Sequence, residues 1–345
     1  MKSLTLVNKN YQSTGNLFLD HLIGGFSIGT IVLLVEDSPT KIHESFLKYF
    51  MAEGVVKEQK VFLYSSNPMA KQNIINLPYK STQVENILNT SKGTENKQSG
   101  QGDIKIAWRY ENIKYSNVIE NIVKSTDYIF DLSRSLQDIY TSQNNFSISN
   151  IEATDGIEIL KQLIYQISND YTKYTSVLKE EEIKYSRFVI PNLFENVNFK
   201  ENSKTILDLK VYLNVFKNLA RSINGIIYLT VGKEYMKKSI FNLIYYFSDY
   251  VFTLQSFLLS NQKLEEYNAL FSINKLPKLC VLKSPVDLET ETYGLIAEKK
   301  KIIIEKVDIG PEIDRNTKVK EKDVKDIPTS QAICGGEKYT KNFEF

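Results

Sequence analysis

The stretch Thr30-Ile31-Val32-Leu33-Leu34-Val35-Glu36-Asp37-Ser38-Pro39-Thr40-Lys41-Ile42 decides the fold of this 345-residue chain. Its first six residues are apolar or β-branched, which predicts a buried strand, and the apolar spacing that follows predicts a helix from about Pro39. Three glycines precede the strand: Gly24, Gly25 and Gly29. A strand, a loop and a helix in this order form the context in which phosphate-binding loops occur.

The loop fits the register of the phosphate-binding pattern GxxxxGK[ST], but only the lysine of that pattern is present. Glu36 takes the first glycine position, Thr40 the second, Lys41 the lysine and Ile42 the hydroxyl position. The carboxylates of Glu36 and Asp37 would repel phosphates, and Ile42 has no oxygen for Mg²⁺. We therefore predict a degenerate, inactive phosphate loop at these positions.

A second interpretation of the same residues does not involve phosphate. Ser38-Pro39 is typical of a helix N-cap followed by proline at the first helical position. The stretch would then be a strand that runs into a capped helix. The loop residues alone leave both interpretations open, and under either the chain is a poor candidate for hydrolysing ATP by itself.

Composition excludes several classes of protein. A hydrophobic content of 42% supports one large domain or two small ones, and a net charge of +2 gives no global attraction to nucleic acid. Cys280 and Cys334 are too few for a disulfide framework. His21 and His43 are the only histidines, so a Ser-His-Asp triad is not expected, and His43 is predicted at the surface or as a helix cap. No apolar run or N-terminal signal pattern indicates a membrane or secretion.

Strands alternating with helices predict an α/β fold, with a largely parallel central sheet flanked by helices. We predict an N-terminal extension at 1–16, one domain at 17–309 with a polar disordered insertion at 82–103, and a disordered tail at 310–345. The predicted strands are 30–35, 61–64, 105–110, 128–131, 188–190, 225–231, 250–254, 278–282, 295–298 and 301–305, and the later helices are 155–171, 206–220 and 236–247.

A magnesium-ordering aspartate at the end of a buried strand is not evident. The strand at 188–190 runs into Pro191-Asn192 without a carboxylate. Asp131, after Tyr128-Ile129-Phe130, is the other candidate, although a lone aspartate there also fits a turn or a helix cap. We predict that the chain has no complete metal site.

Several runs resemble a known family. The glycines before the first strand are similar to those of the RecA-like ATPase superfamily. Four further runs, in this order, resemble the fourth subunit of Elongator, the PAXNEB family: Leu47-Lys48-Tyr49-Phe50-Met51-Ala52-Glu53-Gly54-Val55, Lys105-Ile106-Ala107-Trp108-Arg109-Tyr110, Ser248-Asp249-Tyr250-Val251-Phe252-Thr253-Leu254-Gln255-Ser256-Phe257 and Ile273-Asn274-Lys275-Leu276-Pro277-Lys278-Leu279. The resemblance covers about 17–308. The run at 105–110 is the most specific and separates the fourth subunit from the fifth and sixth.

The resemblance implies a RecA-like fold with a degenerate phosphate loop and no efficient catalytic centre. Family members form an alternating heterohexameric ring with the fifth and sixth Elongator subunits, which binds tRNA and docks on the catalytic Elongator lobes. The holoenzyme adds a carboxymethyl-type group to carbon five of wobble uridine, with radical and acetyl-CoA chemistry in the third subunit. We expect no tightly bound cofactor, ATP only at ring interfaces, and a cytoplasmic and nuclear location.

Three lysines are the first candidates for contacting tRNA. Lys233, Lys237 and Lys238 follow the strand at 225–231, and ligands gather at the carboxyl ends of such strands. A solvated helix face explains the same charges. Arg109 and Arg187 are second candidates, either for RNA or for a neighbouring subunit's nucleotide.

Two other functions remain open from the sequence. An active RecA-like NTPase of nucleic-acid metabolism would need a working loop, which Glu36, Pro39 and Ile42 argue against. A protein-interaction scaffold that binds no nucleic acid is compatible with the nearly balanced charge. Trp108 could stack on a base, but its place on the apolar side of a strand favours core packing.

Overall fold

The computed structural model describes residues 11–36, 40–67, 74–82, 128–135, 145–153, 155–178, 185–195, 197, 203–232, 234, 237–257, 267–277 and 291–307. The strands are β1 Tyr11–Gln12, β2 Phe26–Ser27, β3 Thr30–Glu36, β4 Lys60–Ser65, β5 Pro78–Ser81, β6 Ile129–Ser135, β7 Phe146–Asn150, β8 Ser186–Ile190, β9 Gly225–Gly232, β10 Tyr250–Ser256, β11 Ala269–Lys275, β12 Glu291–Ala297 and β13 Ile302–Lys306. The helices are α1 Leu17–Ile23, α2 Ile42–Val56, α3 Gly156–Val177, α4 Ser203–Ser222 and α5 Lys238–Phe247.

A nine-stranded sheet organises the described part of the chain, in the order β13-β12-β11-β10-β3-β9-β8-β4-β7. From β7 to β10 all neighbouring strands are parallel, whereas β10 to β13 form an antiparallel extension. Strand β3 lies between β9 and β10, in the middle of the sheet. The predicted α/β class with a largely parallel central sheet is confirmed.

The sheet is buried on both faces, which explains the uninterrupted apolar sequence of β3. Val32 and Leu34 pack with the residues of α1 and α2, while Ile31, Leu33 and Val35 pack with those of α3, α4 and α5. Successive side chains of one strand thus enter two different cores, one on each side of the sheet. This double burial fixes the carboxyl end of β3, where the degenerate loop begins.

The domain begins earlier than the predicted boundary at residue 17. Strand β1 pairs with β2, and the Asn16 side chain caps α1 by accepting a hydrogen bond from the Leu19 N–H at 3.0 Å. The Asn16 amide also donates to the carbonyl of Ile302 at 3.2 Å. Residues 11–16 therefore belong to the fold, and the predicted extension at 1–16 is too long.

Most predicted elements are confirmed, with ends that differ by a few residues. Helix α2 begins at Ile42 rather than near Pro39, and its N-cap Lys41 makes no side-chain capping bond. The prediction did not include helix α1 or the strands β1, β2, β5, β7 and β11. The predicted strands at 105–110 and 278–282, the tail at 310–345 and, apart from residue 82, the insertion at 82–103 lie outside the described residues.

Candidate functional site

The carboxyl ends of the parallel strands meet at one edge of the sheet, and ligands of open α/β sheets bind at this edge. Glu36 ends β3, Gly232 ends β9, Asn192 follows β8 and Asn67 follows β4. These positions come from distant parts of the sequence and are brought to one edge by parallel pairing. We therefore take this carboxyl edge as the candidate functional site.

A buried carboxylate and a buried imidazole lie where the phosphate loop would begin. The Glu36 Oε2 atom lies 2.6 Å from the His43 Nε2 atom, and both side chains are buried. Glu36 Oε1 and both ring nitrogens of His43 have no hydrogen-bond partner among the described residues, so the 2.6 Å approach is a close carboxylate–imidazole contact without hydrogen-bond geometry. The surface or capping role predicted for His43 is wrong, because α2 turns the second residue of its first turn towards β3.

The other loop positions are more open. Lys41 is exposed and Thr40 is half-buried, whereas Asp37 lies outside the described residues. With Lys41 at the lysine position, the phosphate-binding pattern puts its first glycine at Val35, so the predicted register of Glu36 is wrong by one residue. Glu36 holds the next position of the loop, and His43 follows the hydroxyl position. The two ends of the loop are thus joined by side chains in contact with each other. Such an arrangement places a carboxylate at the start of the loop, where a phosphate-binding loop has neutral backbone N–H groups.

A second polar group at the carboxyl edge was missed by the sequence analysis. Glu195 Oε2 accepts hydrogen bonds from the amides of Asn67 at 3.0 Å and Asn192 at 3.2 Å. The backbone N–H of Asn192 donates to the hydroxyl of Thr230 at 2.8 Å. The group therefore ties together the ends of β4, β8 and β9. Glu195 lies several residues after the end of β8, whereas a carboxylate that orders Mg²⁺ is expected directly at the end of a strand.

The backbone at this polar group adopts an unusual conformation. Asn192 and Phe194 have positive φ angles of 49° and 67°. Positive φ is uncommon for residues other than glycine, particularly for a bulky aromatic, and persists where surrounding contacts over-determine it. Here the bond from Leu193 N–H to the Thr230 carbonyl, at 2.8 Å, and the burial of the Phe194 ring supply such contacts. The turn holds Glu195 at the carboxyl edge.

Asp131 does not lie at the carboxyl edge of the central sheet. It belongs to β6, which pairs with β5 in a separate two-stranded sheet. Its carboxylate accepts hydrogen bonds from the backbone N–H and the hydroxyl of Ser133, at 2.9 and 2.6 Å. These local bonds match the turn interpretation, not a metal-ordering role at the end of a central strand.

The lysines predicted to contact tRNA are only partly described. Lys237 and Lys238 are exposed and lie at the start of α5, after the carboxyl end of β9. Lys233 and Arg109 lie outside the described residues, as does Trp108. The two described lysines therefore lie just after the carboxyl end of β9, the position for which they were predicted to contact tRNA.

The prediction that Arg187 contacts RNA or a neighbouring subunit's nucleotide is wrong, because the side chain is buried. Its side chain is only 1% exposed and lies near the start of β8, at the opposite edge of the sheet. The guanidinium donates to Gln59 Oε1 at 2.6 Å and to the carbonyls of Phe50 and Ser13 at 3.0 Å each. Its central carbon also lies 4.4 Å from the centre of the Phe50 ring. A guanidinium engaged in this way holds the interior together.

Two acidic groups accompany Arg187, and we call Arg187, Asp20 and Glu53 the buried charge cluster. Burial lowers the pKa of Arg187 to about 10, although the Glu53 and Asp20 carboxylates raise it. Burial raises the pKa of Asp20 to about 6, against hydrogen bonds from Ser13 and Thr14 that lower it. The cluster joins α1, α2 and β8, so its role in the described structure is to hold these elements together.

The fold and the site define a class. A largely parallel sheet with the loop strand β3 in its middle, followed directly by helix α2, is an open α/β arrangement whose ligands bind at the carboxyl ends of the strands. Among solved structures, the chain is similar to one described as an ATPase domain, with 14% identity, a TM-score of 0.47, and coverage of 88% of this chain and 94% of that chain.

The sequence profile described as "PAXNEB protein" matches residues 8–345. The chain therefore belongs to the PAXNEB family. Two relatives are named Elongator complex protein 4. The protein from Xenopus laevis is 25% identical over 339 residues, which cover 87% of this chain and 80% of the relative. The protein from Dictyostelium discoideum is 25% identical over 344 residues, which cover 90% and 77%. In the described part of this chain, no helix is long and apolar enough to span a membrane.

Proposed function

We propose that this chain is a non-catalytic or weakly catalytic RecA-like subunit of the Elongator accessory ring. In this role it assembles with the fifth and sixth Elongator subunits, binds tRNA, and supports carboxymethyl-type modification of wobble uridine on the catalytic lobes, in the cytoplasm and also the nucleus. The observation that carries the proposal is the PAXNEB match over residues 8–345, together with relatives named Elongator complex protein 4.

The contact between Glu36 and His43 supports the non-catalytic part of the proposal. A triphosphate needs backbone N–H groups and a cation at the loop, and a buried carboxylate at the start of the loop repels phosphate instead. The 2.6 Å contact also fills space between the end of β3 and the start of α2. Any ATP in the assembled ring would then be bound at an interface, with groups from a neighbouring subunit.

Depletion of this protein should remove the carboxymethyl-derived uridines from bulk tRNA, measured by mass spectrometry of nucleosides. Re-expression of the unchanged protein should restore them, and a Lys41→Ala variant should restore them to within about twofold, because an isolated lysine does not create a phosphate site. Unchanged uridines after depletion would contradict the Elongator role. Restoration by the unchanged protein but not by Lys41→Ala would contradict the degenerate loop alone.

The tRNA part of the proposal is tested on the assembled ring. A Lys237→Glu/Lys238→Glu variant should weaken tRNA binding on the order of tenfold at physiological salt and reduce the salt dependence by about two phosphate contacts. A matched control, Lys173→Glu/Lys210→Glu, changes two exposed lysines within α3 and α4, neither of them beside a strand end, and should bind nearly as tightly as the unchanged ring. Equal weakening by both pairs would indicate a general charge effect rather than contacts at α5.

The alternatives have distinct outcomes. An active NTPase predicts measurable ATP turnover by the isolated chain, which the Glu36–His43 contact argues against. A pure scaffold predicts normal assembly without salt-sensitive tRNA binding. The nucleoside measurement separates the NTPase from the proposal, because an NTPase of other nucleic-acid metabolism requires no change in wobble uridine, and the tRNA-binding measurement separates the scaffold.

A further inference from the structure

Helix α4 carries an apolar stripe on its solvent face. Leu207, Val211 and Val215 are 61%, 51% and 43% exposed. Residues four apart lie on the same side of a helix, so the three side chains form one continuous row. The opposite side of the helix is already used, because Leu209, Leu213 and Phe216 are buried in the core. Core packing therefore does not explain the stripe.

The stripe continues across to the neighbouring helix. Tyr165 of α3 is 69% exposed and lies with Ile164, Tyr212 and Val215 in the wall of a groove of about 320 Å³. We call this feature, together with Leu207 and Val211, the α3–α4 groove. The Tyr212 ring at its edge lies 5.4 Å from the Lys161 ammonium. A run of exposed large apolar side chains over two helices is typical of an interaction surface.

The shape of the α3–α4 groove favours a helix as its occupant. Two helices packed side by side leave a furrow between them, and an amphipathic helix places apolar side chains at spacings of three and four residues into such a furrow. The row from Leu207 to Val215 spans about 12 Å at 1.5 Å per residue, or two turns of a partner helix. An extended strand would need an open sheet edge, which these helices do not provide.

The charges at the groove favour an acidic partner. Lys161, Lys204 and Lys210 are exposed on the two helices and outnumber the two acidic groups beside them, Glu158 and Asp208. The Glu158 carboxylate lies 3.3 Å from the Lys161 ammonium. A second copy of this chain would bring the same lysines against each other, which opposes self-association. The phosphates of an RNA could bind these lysines, but the apolar row would then lie against a charged polymer and bury no apolar surface. A protein helix with acidic flanks satisfies both the apolar row and the lysines.

We propose that the α3–α4 groove binds an amphipathic helix of another protein, whose apolar face is flanked by aspartate or glutamate. The apolar face covers Leu207, Val211, Val215 and Tyr165, and the carboxylates of the partner lie against the surrounding lysines. This interface does not depend on the Elongator role or on tRNA, because it uses none of the residues at the carboxyl edge. Its failure would leave the proposed function untouched.

The test places a photo-cross-linking residue in the groove of the full chain inside cells, as Val211→p-benzoylphenylalanine. Mass spectrometry then identifies the cross-linked peptide to the residue. The matched control is Val177→p-benzoylphenylalanine, at a valine that is 84% exposed but lies at the far end of α3. We expect the Val211 position to cross-link at least tenfold more to one segment of another protein, with an apolar helical spacing and acidic flanks.

Two further variants test the chemistry of the interface. Leu207→Asp removes part of the apolar row, and Lys204→Glu/Lys210→Glu reverses the charges beside it. Each should lower the yield of that cross-link about tenfold without changing the thermal midpoint, because these side chains are exposed. The proposal is overturned if the groove cross-links to a second copy of this chain, to RNA, to a segment without acidic amphipathic character, or no more than the control does.

Discussion

Arg187→Leu should lower the free energy of unfolding by about 3–5 kcal/mol, because three acceptors lose their donor at once, at about 1–3 kcal/mol for each buried group left unsatisfied. The leucine would leave Gln59 Oε1 and the carbonyls of Phe50 and Ser13 without their donor. It would also leave the carboxylates of the buried charge cluster without their cation. The loss of stability comes from the buried acceptors and carboxylates that remain without a partner, because the leucine side chain itself suits an interior position.

The deficit of this variant should grow as pH rises from 5 to 8. The pKa of Asp20 is about 6 in the folded protein, above the ordinary value of 3.8, so ionisation of Asp20 weakens the fold as pH rises between these values. The ionised Asp20 carboxylate favours the charged guanidinium of Arg187, and the variant loses this attraction once Asp20 is ionised. At pH 5 the carboxyl is mostly protonated in both folded proteins, whereas at pH 8 only the variant holds an uncompensated charge beside Glu53.

Urea unfolding at the two pH values measures both effects. An Arg187→Lys variant is the matched control, because it keeps a cation but loses the planar set of donors, and its deficit should be smaller and less dependent on pH. A deficit below about 1 kcal/mol, or one that is larger at pH 5 than at pH 8, would contradict the stabilising role assigned to the buried charge cluster.

Gly15→Ala should lower the free energy of unfolding by about 3–5 kcal/mol, from a left-handed backbone and from overpacking together. Gly15 has a φ angle of 84°, and an added Cβ would overlap the carbonyl oxygen of Tyr49 in α2. The backbone at the start of the domain thus packs directly on α2. An alanine can be accommodated only if the chain moves away from the helix.

Gly24→Ala separates the two effects. Gly24 has a φ angle of 74°, similar to that of Gly15, but nothing lies within 4 Å of an added Cβ. Its replacement should lower the free energy of unfolding by only about 1–2 kcal/mol, from the left-handed conformation. Thermal and urea unfolding of both variants would test this. Equal losses would show that close packing on α2 contributes little.

The elements that local pattern predicted well are those buried on both faces. Strands β3 and β9 are runs of apolar residues with few polar interruptions, so the sequence alone identifies them. Helix α1 has only seven residues and was missed, because its capping partner Asn16 also depends on Ile302. Strand β11 alternates between buried and half-buried positions, but the prediction placed a strand at 278–282 instead.

The parts of the site whose residues are adjacent in the sequence could be predicted. The parts that packing brings together from distant positions could not. The register of Glu36 and Lys41 is visible in the sequence, because strand, loop and helix are contiguous. The burial of Arg187 is not visible, because its partners Ser13, Phe50 and Gln59 are more than 120 residues away. The same limit applies to Glu195, whose contacts with Asn67 come from another strand end.

The central position of β3 has a consequence during synthesis on the ribosome. Its two neighbours are β9, at residues 225–232, and β10, at 250–256. At about 5–20 residues per second, an emerging β3 waits roughly 10–40 s for the first of them. Throughout that interval its apolar residues have no native pairing partner, so nascent chains need protection by chaperones. A product that terminates before residue 225 can never cover this strand and is a substrate for aggregation or proteolysis.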